Sequence, residues 1–214
     1  MFFVNKLNPI NINFAVMSAD SYFSVGKGMY QKYHATHMEN LGTPMKWKVE
    51  QQLGYAVPAI TNLSLSLELY FKIHAFQHAI EITDKRHDLL HLFQVLPHDA
   101  REAINDIFQT KYTKDSQSLI ELRINQQNSA GKNSSDYKKV TAFLKAHRNS
   151  FVDWRYFYEF IGRDSSPFFS FKGMIYTIDS VIAQIRSYKG DARTEMGVST
   201  IKSSKRDAVP RSPS

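Results

Sequence analysis

The segment from residue 56 to residue 82, AVPAITNLSLSLELYFKIHAFQHAIEI, constrains the fold more than any other part of the chain. Its apolar residues recur at intervals of three and four, which is the period of one face of an α-helix. The short run SLSLELYF alternates and resembles a strand by itself, but the longer spacing continues to Ile80 and favours a helix. The predicted inward stripe consists of Leu65, Leu69, Ile73, Phe76 and Ile80.

The same period appears in most of the remaining chain. It predicts helices over 15–38, within 83–97, over 98–112, over 137–161 and over 169–188, with Asp88 as the N-cap of the short second one. No segment has a convincing strand pattern, and no internal repeat is present. The sequence therefore predicts an all-α fold, an antiparallel up-and-down helical bundle of about five to seven helices.

Composition shifts divide the chain into a bundle and its appendages. Residues 15–188 form the predicted bundle, preceded by an irregular N-terminal lead over 1–14. The polar run QQNSAGKNSSD at 126–136 predicts a flexible loop inside the bundle. Residues 189–214 are rich in Ser, Lys and Arg and predict a disordered basic tail.

Charge and cysteine content narrow the classes of function. The 214 residues include no cysteine, which excludes disulfides, a thiolate nucleophile and a Cys-based metal site. The N-terminus has no signal-peptide pattern and no apolar run is long enough for a membrane span, so a cytoplasmic protein without a membrane partner is expected. The net charge of +7 favours an anionic partner such as nucleic acid, although a basic surface also serves solubility.

Common catalytic motifs are missing from the chain. Neither Gly-rich phosphate-loop pattern occurs, and there is no G-x-S-x-G elbow. Three histidine pairs have a spacing of three or four and could each ligate a metal on one helix face: His34/His37, His74/His78 and His87/His91. Because histidines on helix surfaces are commoner than zinc sites, no metal and no cofactor are expected.

Two charged pairs lie among bulky apolar residues. Glu68 and Lys72 are four apart on the second helix, and Arg155 and Glu159 are four apart in the stretch FVDWRYFYEF. Their apolar flanks predict that both pairs lie at a helix–helix seam, where a charge must be paired. A polar cluster joining the two helices is therefore expected, and it could be functional or could simply fix the register of the bundle.

Three segments resemble the HEPN-domain family. They are LSLELYFKIHAF, HDLLHLFQVLP and FVDWRYFYE, within a match over roughly residues 55–160. The resemblance implies a helical bundle that forms a homodimer. Many members of the family are metal-independent ribonucleases of toxin–antitoxin or defence systems, so the resemblance also implies that activity. It also implies RNA, an antitoxin or a nucleotidyltransferase as partners. The matching positions are Ser66, Glu68, Lys72, His87, Asp88, Leu89, Trp154, Arg155, Tyr156 and Glu159.

The family's nuclease motif, an Arg followed after four to six residues by a His, is only half present on the expected helix. Arg148-Asn149 supplies the first half, and no histidine follows it. Arg86 and His91 have the spacing but lie in the His-Asp-Leu segment. The catalytic candidates are Arg155, His87, Arg148 and His91, and the polar-cluster candidates are Glu68, Lys72, Asp88, Tyr156 and Glu159.

Three functions follow from these residues and stay open at this point. The first is an RNA-associated HEPN-like protein with possible ribonuclease activity, and the second is a non-catalytic HEPN-like interaction or dimerisation module. The third is small-ligand binding between helices near His87, Asp88 and Arg155.

Overall fold

A computed structural model describes residues 9–39, 47–82, 87–114, 121–123, 137–156 and 168–188. These residues form an all-α bundle, as predicted, with one small two-stranded antiparallel sheet. The helices are α1 Pro9–Glu39, α2 Trp47–Gln77, α3 Leu89–Gln94, α4 His98–Lys114, α5 Val140–His147, α6 Ser150–Arg155 and α7 Phe171–Ser187, and the strands are β1 Glu121–Arg123 and β2 Phe168–Ser170.

Helix α2 is the centre of the bundle and packs against α1, α3, α6 and α7. Of its side chains described from Leu53 to Gln77, only Gly54 is exposed. The predicted stripe was only partly correct: Ile73 is buried, but Leu65 and Leu69 are half-buried. Leu63 and Leu67, which were not in the predicted stripe, are fully buried. A helix surrounded by neighbours has no solvent face, so its sequence periodicity does not show which side is deepest.

Helices α1 and α2 form an antiparallel hairpin. Ser66 Oγ donates to the carbonyl of Ala19 at 2.9 Å, and Tyr70 donates its hydroxyl to Asp20. Gly26 permits the close approach, because a Cβ at this position would lie 2.8 Å from Leu63 Cγ. Helix α7 then lies along α2, and the side-chain amide of Gln77 donates to the carbonyl of Ile185 at 3.2 Å.

The structure corrects three predictions about the secondary structure. Helix α1 begins at Pro9, a residue type favoured in the first helical turn, so residues 9–14 of the predicted irregular lead are helical. The helix predicted over 137–161 is two helices, α5 and α6, separated at Arg148 and Asn149. The prediction of no strand was wrong for β1 and β2, whose register pairs Leu122 with Phe169.

Several predicted features lie outside the described residues. They are residues 1–8 of the lead, the loop over 126–136, the tail over 189–214, and residues 157–161 of the predicted long helix. The division into lead, bundle, loop and tail therefore stays a prediction in these parts.

Candidate functional site

Glu68 joins α2 to the segment that precedes α3. Its buried carboxylate accepts a hydrogen bond from Lys72 Nζ at 2.6 Å through Oε1, so the predicted pair four residues apart is present. Through Oε2 it lies 2.6 Å from Nδ1 of His87, which is 19 residues further along the chain. One carboxylate therefore holds a lysine and a histidine side by side.

Asp88 makes the second half of the site. It is the N-cap of α3, as predicted, and its Oδ1 accepts from the backbone amide of His91 at 3.1 Å. Its Oδ2 accepts from the guanidinium of Arg148. Burial raises the pKa of the Asp88 carboxyl, but the hydrogen bonds from Arg148 and His91 outweigh that effect and the net direction is downward.

The turn between α5 and α6 is held against the start of α3. The backbone amide of Leu89 donates to the carbonyl of Arg148 at 2.9 Å, in addition to the contact between Arg148 and Asp88. In a continuous helix the backbone carbonyl of Arg148 would accept from the amide four residues later instead of from Leu89. This explains why the predicted long helix breaks at a point that has neither glycine nor proline.

Phe151 on α6 lies in contact with both His87 and Arg155. The His87 ring lies 4.8 Å from the Phe151 ring, centre to centre, with a 52° angle between their planes. The Arg155 guanidinium lies 5.8 Å from the centre of the same ring and 5.4 Å from that of Tyr156. A guanidinium at such distances is attracted to the face of an aromatic ring, so Arg155 and the His87 ring both pack on Phe151.

The structure therefore brings together most of the side chains predicted from the sequence. Lys72 and His87 contact the buried carboxylate of Glu68, Arg148 contacts that of Asp88, and Arg155 lies over the Phe151 ring beside His87. The side chains of Lys72, His87, Arg148 and Arg155 are here called the cationic cluster. Tyr156 lies beside Arg155, and His91 takes part through its backbone amide. Glu159 and Arg86 lie outside the described residues, so the Arg155–Glu159 pair and the Arg86–His91 spacing stay predictions.

Phe151 is buried, and its contacts with His87 and Arg155 were not predicted from the sequence. Sequence reasoning also missed both long-range contacts, from Glu68 to His87 and from Asp88 to Arg148. The available signal was the position of Glu68 among leucines, because a carboxylate in such a place needs a partner from another element.

His147 precedes Arg148 and is fully buried. Its Nδ1–H donates to the carbonyl of Phe143 at 2.9 Å, and its Nε2 accepts from the backbone amide of Ser170 at 3.1 Å. These two bonds fix a neutral tautomer and tie α5 to β2. Burial lowers the pKa of His147 to about 4, although the Phe143 carbonyl acts in the opposite direction.

A cavity and the side chains of the types that bind metals are two further features of the described residues that bear on function. A cavity of about 430 Å³ follows α1, where Asp20 and Lys27 line it, so it lies away from the residues named for small-ligand binding. No group of three or more His, Cys, Asp or Glu side chains is arranged for a metal within the described ranges. In the same ranges, every helix is too short or too polar to cross a membrane.

Comparison with known proteins gives no match: no family model, curated protein or solved structure is similar to this chain.

Proposed function

We propose that the cationic cluster binds the phosphate backbone of RNA, and that the chain is a HEPN-like, RNA-associated protein of a cytoplasmic toxin, defence or stress system. One observation carries this proposal. The two carboxylates that hold the cluster are buried, with 4% and 11% of the Glu68 and Asp88 side chains exposed. The His87 and Arg148 side chains that they hold are 40% and 51% exposed.

This arrangement separates the charges by depth. The negative groups lie beneath the surface, while Arg148, Arg155 and His87 reach solvent. A surface of this kind attracts phosphate, and guanidinium groups match phosphate oxygens with paired donors. The net charge of +7 for the whole chain adds to the attraction at long range.

His87 gives the same surface a means of cleaving RNA without a metal. The Glu68 carboxylate accepts from Nδ1–H of His87, which leaves Nε2 as the atom that can take a proton. Nε2 would accept the proton of a ribose 2′-OH, and the 2′-oxygen would attack the adjacent phosphorus. The 5′-oxygen would leave with a proton from water, giving a cyclic phosphate, while Arg148 stabilises the charge on the phosphoryl oxygens.

The test is a binding titration with a short single-stranded RNA at several salt concentrations, followed by fluorescence anisotropy. Arg148→Ala and Arg155→Ala should each weaken binding and reduce the slope of log K against log salt by about 0.7, the effect of one lost phosphate contact. Cleavage of the same RNA in the presence of EDTA should fall at least tenfold in His87→Ala.

The matched control is Lys111→Ala. Lys111 is also part-exposed and paired with a carboxylate, Asp179 at 3.2 Å, but it lies on α4 away from the cluster. This variant should bind as the parent does. Equal losses in Lys111→Ala and Arg148→Ala would show that only total charge matters and would contradict a site at the cluster.

The second candidate function is a non-catalytic dimerisation module, and a specific observation favours it. Phe14, Met17, Tyr22 and Val25 on α1 are exposed, and they form two pairs at the neighbouring spacing of three, Phe14 with Met17 and Tyr22 with Val25. Exposed apolar patches of this kind commonly mark protein–protein contacts. If α1 is the dimer contact, Met17→Glu should convert a dimer to a monomer in size-exclusion chromatography with light scattering.

The control for that experiment is Lys32→Glu, which introduces the same residue at an exposed position of α1 further along the helix. It should leave the dimer intact. An unchanged mass in Met17→Glu, or a monomeric parent protein, would exclude α1 as a dimer contact.

A further inference from the structure

A second group of histidines lies at the C-terminal end of α2, on the side of the helix away from Lys72. His74 is buried, and its ring centre lies 4.9 Å from that of His78, four residues later. The ring of Tyr188, at the end of α7, lies 4.5 Å from the His78 ring. The helix ends here because Ala79 has a positive φ of 55°.

The tautomer of His74 is fixed by a chain of hydrogen bonds. The amide nitrogen of Gln77 donates to the carbonyl of Ile185 at 3.2 Å, so the amide oxygen of Gln77 is the atom that faces His74. That oxygen lies 3.0 Å from Nδ1 of His74, which must therefore carry the proton. Nε2 of His74 is left with a lone pair.

Among the residues that the structure describes, no hydrogen-bond partner lies at the Nε2 atom of either histidine, although both atoms are buried. A buried polar atom without a partner costs about 1–3 kcal/mol, so such atoms are rare in folded proteins and call for an explanation. Here two such atoms lie on adjacent rings, where a single ligand could contact both.

We propose that His74 and His78 form a two-histidine site for a divalent transition-metal ion such as Zn²⁺, bound through the two Nε2 atoms. The ring spacing suits this ion. A Zn–N bond of about 2.0–2.1 Å places each ring centre about 3.2 Å from the metal, so two rings at the tetrahedral angle have centres about 5.2 Å apart. The observed separation is 4.9 Å.

The surroundings favour the metal-binding form of His74. Burial lowers the pKa of His74, the nearby His78 acts in the same direction, and Gln77 and Asp99 act in the opposite one. The neutral imidazole, which is the ligand form, is therefore favoured. The orienting bond from Nδ1–H to Gln77 is the kind of contact that metal-bound histidines make to their outer shell.

The donor set also predicts which ions bind and how strongly. Imidazole nitrogens select Zn²⁺, Ni²⁺, Co²⁺ and Cu²⁺ over Mg²⁺ and Ca²⁺, which prefer oxygen. With only two protein ligands at this site among the described residues, water would complete the coordination. We therefore expect affinity in the micromolar range. The site is separate from the cationic cluster, so the ion is not part of the proposed RNA chemistry.

The test is isothermal titration calorimetry of the full chain, without a purification tag, against ZnSO₄ and then MgSO₄ near pH 7.5. One equivalent of Zn²⁺ should bind, and Mg²⁺ should not. His74→Gln and His78→Gln should each weaken Zn²⁺ binding at least tenfold, and circular dichroism will confirm that both variants are folded. The control is His37→Gln, taken from the α1 pair His34/His37, and it should bind Zn²⁺ as the parent does.

A measurement on the parent chain decides the question if a variant does not fold. In a ¹⁵N spectrum of the eight histidine side chains, added Zn²⁺ should shift two Nε2 resonances, those of His74 and His78. Shifts confined to other histidines, or Zn²⁺ binding that is equal in His74→Gln, His78→Gln and the parent, would overturn the proposal. Absence of Zn²⁺ binding would overturn it as well.

Discussion

His147→Ala is expected to lower the free energy of unfolding by about 3 kcal/mol, since the change leaves a cavity and removes the acceptor of a buried amide. The imidazole is fully buried between α5 and β2, and it bonds Phe143 and Ser170 at 2.9 and 3.1 Å. Alanine replaces neither bond, and the Ser170 amide is left without its acceptor. Urea unfolding, followed by the fluorescence of the buried Trp154, measures the loss.

The same residue should make the stability of the parent protein depend on pH. The pKa of His147 is about 4 in the folded chain, whereas an unfolded chain has the ordinary value of 6.5. The unfolded state therefore binds the proton first, so this contribution is complete above about pH 6.5 and is lost as the pH falls towards 4. Between pH 7 and pH 5 the loss from this group is about 2 kcal/mol.

The pH profile separates this effect from those of other groups. His147→Ala should lack this part of the slope, whereas His98→Gln, at an exposed position of α4, should keep it. The pKa of His74 is also lowered, so some slope of the same sign should remain in the alanine variant. Equal slopes in the parent and in His147→Ala would contradict a neutral, buried His147.

The sequence predicted those elements that depend on local contacts. Asp88 was expected to cap α3, and it does so through the amide of His91, three residues later. Glu68 and Lys72 were expected to pair across one helical turn, and they do. Both features depend on residues close in sequence, where helix geometry alone sets the distance.

The break between α5 and α6 could not be predicted in this way. Its causes are the hydrogen bond that Arg148 donates to Asp88, the one that its carbonyl accepts from Leu89, and the one that His147 accepts from Ser170. These partners are 23 to 60 residues apart in sequence. Tertiary contacts at such separations override local helix propensity without leaving a pattern in the sequence.

The candidate site was predictable only in part, for the same reason. A polar cluster between helices was expected from charged residues with apolar flanks, and Glu68, Lys72 and Arg155 were named for it. Among the described residues, the partner of Glu68 outside its own helix is His87 rather than Arg155. Arg155 instead lies over the rings of Phe151 and Tyr156, because the aromatic residues of that stretch form a surface for cations.

Glu68→Gln is expected to lower the free energy of unfolding by about 2 kcal/mol, less than the loss for a fully buried ion pair because Lys72 and His87 can turn to water. The amide has one accepting oxygen, whereas the carboxylate accepts from Lys72 and contacts His87 with separate oxygens, both at 2.6 Å. One of the two partners must therefore face an NH₂ group. Urea unfolding measures the change, and Glu102→Gln, which removes the same charge at an exposed position of α4, should have almost no effect.

The Glu68→Gln variant also separates a catalytic role of the cluster from simple charge attraction. Removing the negative charge of Glu68 makes the surface more positive, so RNA affinity should stay equal or increase at low salt. Cleavage should nevertheless fall about 100-fold, since His87 loses the group that fixes its tautomer and orientation. If Glu68→Gln is less stable than the parent and neither of these two proteins cleaves RNA, Glu68 has a role in the structure of the bundle alone. Parent-like cleavage in a folded Glu68→Gln variant would contradict His87 as the general base, because Glu68 is the carboxylate that contacts its Nδ1 among the described residues.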